Sequence, residues 1–129
     1  MLDLAEKYIA DADYPVGTVL MTGGGAEVTV SGINYHDSRV VGVVTNTSAY
    51  VLNPELTGNL VTNVALLGRA LCRVHGPVSQ GDCIVASATP GLGCTLDPDW
   101  WQPGCIVGKA ITGYDGNDEG LIEIVVGRM

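Results

Sequence analysis

Pro15-Val16-Gly17-Thr18-Val19-Leu20-Met21-Thr22 decides how this chain is read, because Pro77-Val78-Ser79-Gln80-Gly81-Asp82-Cys83-Ile84-Val85-Ala86-Ser87 restates it. Each is a proline, a short turn with a glycine, and an apolar run closed by a hydroxyl residue. Downstream of Gly17 lies Val40-Val41-Gly42-Val43-Val44-Thr45, and at a similar distance from Gly81 lies Ile106-Val107-Gly108-Lys109-Ala110-Ile111-Thr112. The halves then close alike, on Leu66-Leu67-Gly68-Arg69 and on Val125-Val126-Gly127-Arg128. Three matches in one order predict two copies of a single β-unit. Their offset of about 60–66 residues exceeds the usual solenoid period of roughly 20–50. A pseudo-two-fold domain fits better than an open repeat array.

Composition agrees with that reading. The 129 residues hold 47% apolar side chains, 18 glycines and no Phe. Val, Ile and Thr suit a pleated surface, and glycines supply turns and close backbone approaches. A chain of this length makes one domain, burying about two-thirds of its unfolded surface. The expected fold is all-β, a compact β-barrel or β-sandwich built from two pseudo-two-fold related units. Its parts are an N-terminal arm or short helix over 1–13, β-unit one over 14–75 and β-unit two over 76–129. Tyr14-Pro15 stops any helix, since the residue before proline is pushed out of the α region.

Strands are predicted over Thr18–Met21, Glu27–Val30, Arg39–Thr45, Tyr50–Leu52, Leu60–Val74, Asp82–Ser87, Cys105–Thr112 and Gly120–Arg128. Gly68 is a predicted bend or bulge within the long one. Gly23-Gly24-Gly25 reads as a hairpin turn, and 31–37, 89–93, 97–104 and 114–119 read as loops. Short strands separated by Gly/Pro turns indicate a barrel or a sandwich.

Charge narrows the partners. Six Lys and Arg against 14 Asp and Glu give a net charge of −8. Nucleic acid needs clustered cations to displace its counterions, so no nucleic-acid partner is expected. No stretch approaches the roughly 20 apolar residues of a membrane span, and no membrane insertion is expected. The N-terminus lacks a basic leader followed by an apolar segment. Cys72, Cys83, Cys94 and Cys105 are evenly spaced without a CxxC pair, so they read as reduced thiols packed as small hydrophobes.

Chemistry-bearing motifs are absent from the sequence: HExxH, GxSxG, Walker A and EF-hand spacings do not occur. His36-Asp37-Ser38 holds triad residue types, yet adjacent residues rarely converge in space. Asp115-Gly116-Asn117-Asp118-Glu119 reads as a solvated turn. The expectation is a non-enzyme without cofactor or metal. Trp100-Trp101, set between Pro98 and Pro103, is the salient aromatic feature. It reads as a plug on the barrel, an anchor at a protein interface or a platform for a sugar ring. Leu4 and Tyr8 share one face of the 1–13 segment, and with Trp100 and Trp101 they are the candidate oligomer-interface or ligand contacts.

Asp3-Leu4-Ala5-Glu6-Lys7-Tyr8, Gly17-Thr18-Val19-Leu20, Val41-Gly42-Val43-Val44-Thr45 and Tyr50 resemble the C-terminal domains of phage tail-fibre and other virion structural proteins. Ala65-Leu66-Leu67-Gly68-Arg69, Val74-His75-Gly76-Pro77-Val78-Ser79-Gln80-Gly81-Asp82, Gly108-Lys109-Ala110 and Ile122-Glu123-Ile124-Val125-Val126-Gly127-Arg128 look like the same family. The first half is also similar to the phage intramolecular-chaperone domain, which is autoproteolytic in its active members. The resemblance implies a homo-oligomer, a trimer in such appendages, assembled in the bacterial host cytoplasm and placed in the virion. It implies contacts with other virion proteins and a possible host surface receptor. The chaperone family implies self-cleavage at a bond upstream of residue 1, with no cleavage residue matched here. A receptor- or glycan-binding module is the remaining alternative.

Overall fold

The computed structural model describes residues 3–32 and 34–127. Ile33, within the 31–37 loop, and Arg128, which ends the last sequence match, lie outside the described residues, as do 1, 2 and 129. Ten strands follow in chain order: β1 (Leu4–Ile9), β2 (Val19–Thr22), β3 (Val28–Val30), β4 (Val40–Val43), β5 (Tyr50–Leu52), β6 (Val61–His75), β7 (Cys83–Ala86), β8 (Gly93–Thr95), β9 (Ile106–Ala110) and β10 (Glu119–Val126). The fold is all-β; a single 3-10 turn, Pro98–Trp100, is the exception among the described residues.

Seven strands form one sheet in the order β10-β9-β7-β8-β6-β1-β5, and a further β10–β6 pairing closes five of them into a barrel. The other three form a sheet in the order β3-β2-β4. Isolated bridges Val44–Val64 and Ala10–Val28 carry that small sheet onto β6 and the end of β1. The strands β1, β6, β4, β2 and β3 thus make a second ring of five.

The two rings share β6 and repeat each other's bonds. Gly17 N–H donates to Val44 O at 2.9 Å, and Gly81 N–H donates to Ala110 O at 2.8 Å. Thr45 N–H donates to Asn63 O at 3.0 Å, and Ile111 N–H donates to Glu123 O at 2.8 Å. Leu20 pairs with Gly42 across β2–β4, and Ile84 pairs with Gly108 across β7–β9. The bridge Ala10–Val28 has its counterpart in Val74–Gly93. The buried side chains form two clusters: Ala10, Leu20, Val28, Val44 and Val64 in the first ring, and a larger one holding Val74, Ile84, Ala110, Ile122 and Ile124 in the second, to which Val19, Val43 and Ala65 of the first ring's strands also belong. At the middle of β6, Gly68 takes φ +104°, which a β-carbon would disfavour, and the strand passes from one ring to the next.

Three sequence expectations change. The segment expected as a helix or free arm is β1, because β6 and β5 offer it backbone partners on both edges. The turn expectation at 89–93 runs into β8, a three-residue strand beginning at Gly93. A β-carbon on Gly93 would lie 2.6 Å from Ile84 Cγ2, so the strand pairs there only with glycine. The reading of Trp100-Trp101 as a barrel plug fails, since the two side chains are 62% and 57% exposed.

Candidate functional site

Two loops in equivalent places meet at one point on the surface. Residues 31–39 connect β3 to β4 in the first ring, and residues 96–105 connect β8 to β9 in the second. Gln102 Nε2 donates to His36 O at 2.9 Å, and Gly104 lies so close to Ser38 that a β-carbon would stand 3.0 Å from Ser38 O. Asp97 opens the second loop, accepting Asp99 N–H at 3.1 Å through its side chain, with Pro98 preset for the turn. That turn projects Trp100 and Trp101 outward.

His36 lies against Trp100. Its ring is parallel to that of Trp100, with an interplanar angle of 7° and centroids 5.8 Å apart, and the ring of Tyr35 lies against it at a tilt of 44°. The imidazole is 1% exposed, and neither Nδ1 nor Nε2 has a hydrogen-bond partner. Its backbone holds φ +59°. A buried donor without a partner costs about 1–3 kcal/mol, and left-handed backbone adds to that. Burial pushes the His36 pKa below its ordinary value, with the Asp97 charge opposing. The ring is therefore neutral at pH 7.

Asp37 is not a partner for this histidine. Its Oδ1 accepts Arg39 N–H at 2.9 Å and Nε–H at 3.0 Å, and its Oδ2 accepts Nη2–H at 2.8 Å. The Arg39 guanidinium holds the carboxyl below the usual carboxylate range. Asp37 hence forms a loop clamp with Arg39, and the triad residue types of 36–38 do not converge. Tyr35 extends the aromatic surface into an open depression of 330 Å³, shared with His75, Ser87, Ala88, Thr89 and Cys94. Burial raises the Cys94 thiol to about 11 and that of Cys72 to about 12, so both stay protonated and unreactive at neutral pH. All four cysteines are free. Among the described residues, no three His, Cys, Asp or Glu side chains gather to hold a metal ion.

The four candidate contacts separate into different places. Trp100 and Trp101 sit on the loop junction. Leu4 lies on β1 in register with Tyr50 of β5 and Leu67 of β6, making an apolar row across three strands with Tyr50 58% and Leu67 43% exposed. Tyr8 instead packs against the first ring's core, and its hydroxyl donates to Glu6 Oε1 at 3.2 Å. Sequence reasoning missed His36 as a member of the aromatic site and missed Tyr50 and Leu67 as companions of Leu4.

No protein-family model matches this sequence, and no curated protein matches it. Among solved structures, the C-terminal fragment of gene product 12 of bacteriophage phi29 is similar in fold, with a TM-score of 0.64 at 16% identity. The alignment covers 96% of this chain and 99% of that fragment. The likeness establishes a shared fold over the whole length of both.

Proposed function

We propose that this chain is a structural domain of a bacteriophage virion, in a tail fibre or similar appendage, that works by packing against copies of itself rather than by catalysis. The observation that carries this reading is the end-to-end fold likeness to the phage fragment. The apolar row Tyr50–Leu4–Leu67 supports it, because water-exposed leucine and tyrosine in register across three strands favour burial against another surface. β5 adds an open sheet edge beside that row, three residues long. A homotrimer, assembled in the host cytoplasm with other virion proteins as neighbours, is the arrangement we expect.

The matching bonds of the two rings support a further part of the proposal, an internal duplication. They divide the chain within β6 at Gly68, so β1 belongs to the first unit and the second begins midway along β6. The proposed division differs from the expected bounds of 14–75 and 76–129 in giving β1 to unit one and the second half of β6 to unit two, and the support for it is the strand pairing of each ring.

Light scattering of the purified chain at micromolar concentration tests the packing role. The expected result is three times the chain mass, falling toward one in the double variant Tyr50→Asp, Leu67→Glu. A strict monomer for the unaltered chain overturns the proposal.

A further inference from the structure

We infer that the junction of the 31–39 and 96–105 loops binds an uncharged carbohydrate, a hexose or N-acetylhexosamine ring stacked on Trp100 and Trp101. The inference goes beyond the packing role and does not depend on it. Four observations meet here. Two adjacent indoles stand more than half exposed on a capped turn, a costly placement for side chains that otherwise dominate cores. The turn is held from below by the His36 stack and by the Gln102 bond, so the indoles are presented on a supported surface rather than on a free loop. The imidazole packed behind Trp100 is 1% exposed, so it backs that indole as a wall and leaves the outer face to a ligand. Backbone strain at the same residue places it among positions held for a purpose other than stability.

Charge then selects the ligand class. Asp97 and Asp99 flank the indoles, the protein carries −8 overall, and Arg39, the basic side chain of the facing loop, is closed on Asp37. A phosphate, sulfate or uronate ring meets repulsion with no free cation in the two loops to offset it. An uncharged sugar presents an apolar C–H face to an indole and hydroxyls to its rim, where the exposed side chains of Asp99 and Gln102, the chain neighbours of the two indoles, supply polar groups. The open shape of the site makes the affinity weak, on the order of 1 mM.

The two tryptophans of the site are the only two in the protein, so selectively excited tryptophan emission reports on this site alone. Maltohexaose and tetra-N-acetylchitotetraose are titrated into the full chain, with inorganic polyphosphate as the anionic counterpart and native mass measured on the same samples. The expected result is a saturable emission change with at least one of the two sugars, none with polyphosphate, and unchanged mass. Trp101→Ala should weaken the response about tenfold with a melting temperature close to the parent's, because that side chain is exposed, whereas Trp100→Ala should weaken it as much and also lower the melting temperature by uncovering His36. Absence of a saturable change with both sugars overturns the inference. So does a response to polyphosphate alone, or an emission change that follows protein concentration and mass, which would give the indoles to a second copy of the chain. A monomeric mass with sugar binding intact would sink the packing role and leave this inference standing.

Discussion

At the scale of single residues, His36 carries the sharpest consequence. Its imidazole is held neutral by burial, so a proton binds the unfolded chain more readily than the folded one. Stability from this residue is full above the ordinary imidazole value near pH 6.5 and is lost as pH falls through that value toward the lowered one. Asp37, kept ionised by Arg39, responds only at lower pH. Acidification from pH 7.5 to 5.5 should therefore lower the melting temperature. His36→Asn, which tolerates the left-handed backbone, should flatten that dependence, leaving His75, an exposed residue, as the remaining histidine. A parent protein whose melting point is level across this range would contradict the neutral, buried assignment. Little of this was legible in the sequence. The pair Trp100-Trp101 stands out in any reading, whereas His36 is remarkable only because a loop from the other half of the chain covers it, and composition holds no trace of that contact.

At the scale of elements, the repeated glycines are steric rather than ornamental. Gly42 and Gly108 occupy equivalent places where one strand crosses another. A β-carbon on Gly42 would stand 2.6 Å from Ala65 O, and one on Gly108 would stand 2.6 Å from Val125 O. Each obstacle is backbone within a hydrogen-bonded ladder and has nowhere to move. Gly108→Ala should destabilise by about 1–3 kcal/mol through this overlap. Gly58→Ala is the contrasting case, because its new carbon would meet the tip of Ile9 Cδ1 at 3.0 Å, which can swing aside, and Val61 Cγ2 at an ordinary 3.7 Å. Urea unfolding with unchanged slope separates the two, and equal midpoints would refute the steric account. The strands β2, β4, β7 and β9 were readable from sequence because these glycines sit inside β-branched runs at matching intervals, but which strand pairs with which was not. The first strand was not. Leu4 and Tyr8 are spaced as on a helix, and only β5 and β6, distant in sequence, force Leu4–Ile9 into an extended form.

At the scale of the whole molecule, two rings share one continuous strand, and Val19, Val43 and Ala65 of the first ring's strands pack into the larger core cluster with the second ring's side chains. β6 runs Val61–His75, pairing with β1 along its first half and with β10 along its second. Loss of either ring strips hydrogen-bond partners from the same strand. Further bonds cross between rings: Arg73 N–H donates to Gly17 O at 2.9 Å, and Val19 N–H donates to Gly91 O at 2.9 Å. Neither ring has an edge it can keep when the other melts. Leu20 and Ile84 are fully buried at equivalent positions, one in each core. Leu20→Ala and Ile84→Ala should each cost about 2–5 kcal/mol, and each should shift a single calorimetric transition whose van't Hoff and calorimetric enthalpies agree. Two resolved transitions, with each variant moving only one of them, would mean that the rings fold as independent bodies and that β6 is a tether between them. A single shifted transition in both variants means that the shared strand couples the cores, which is the property a rigid building block in an assembly requires.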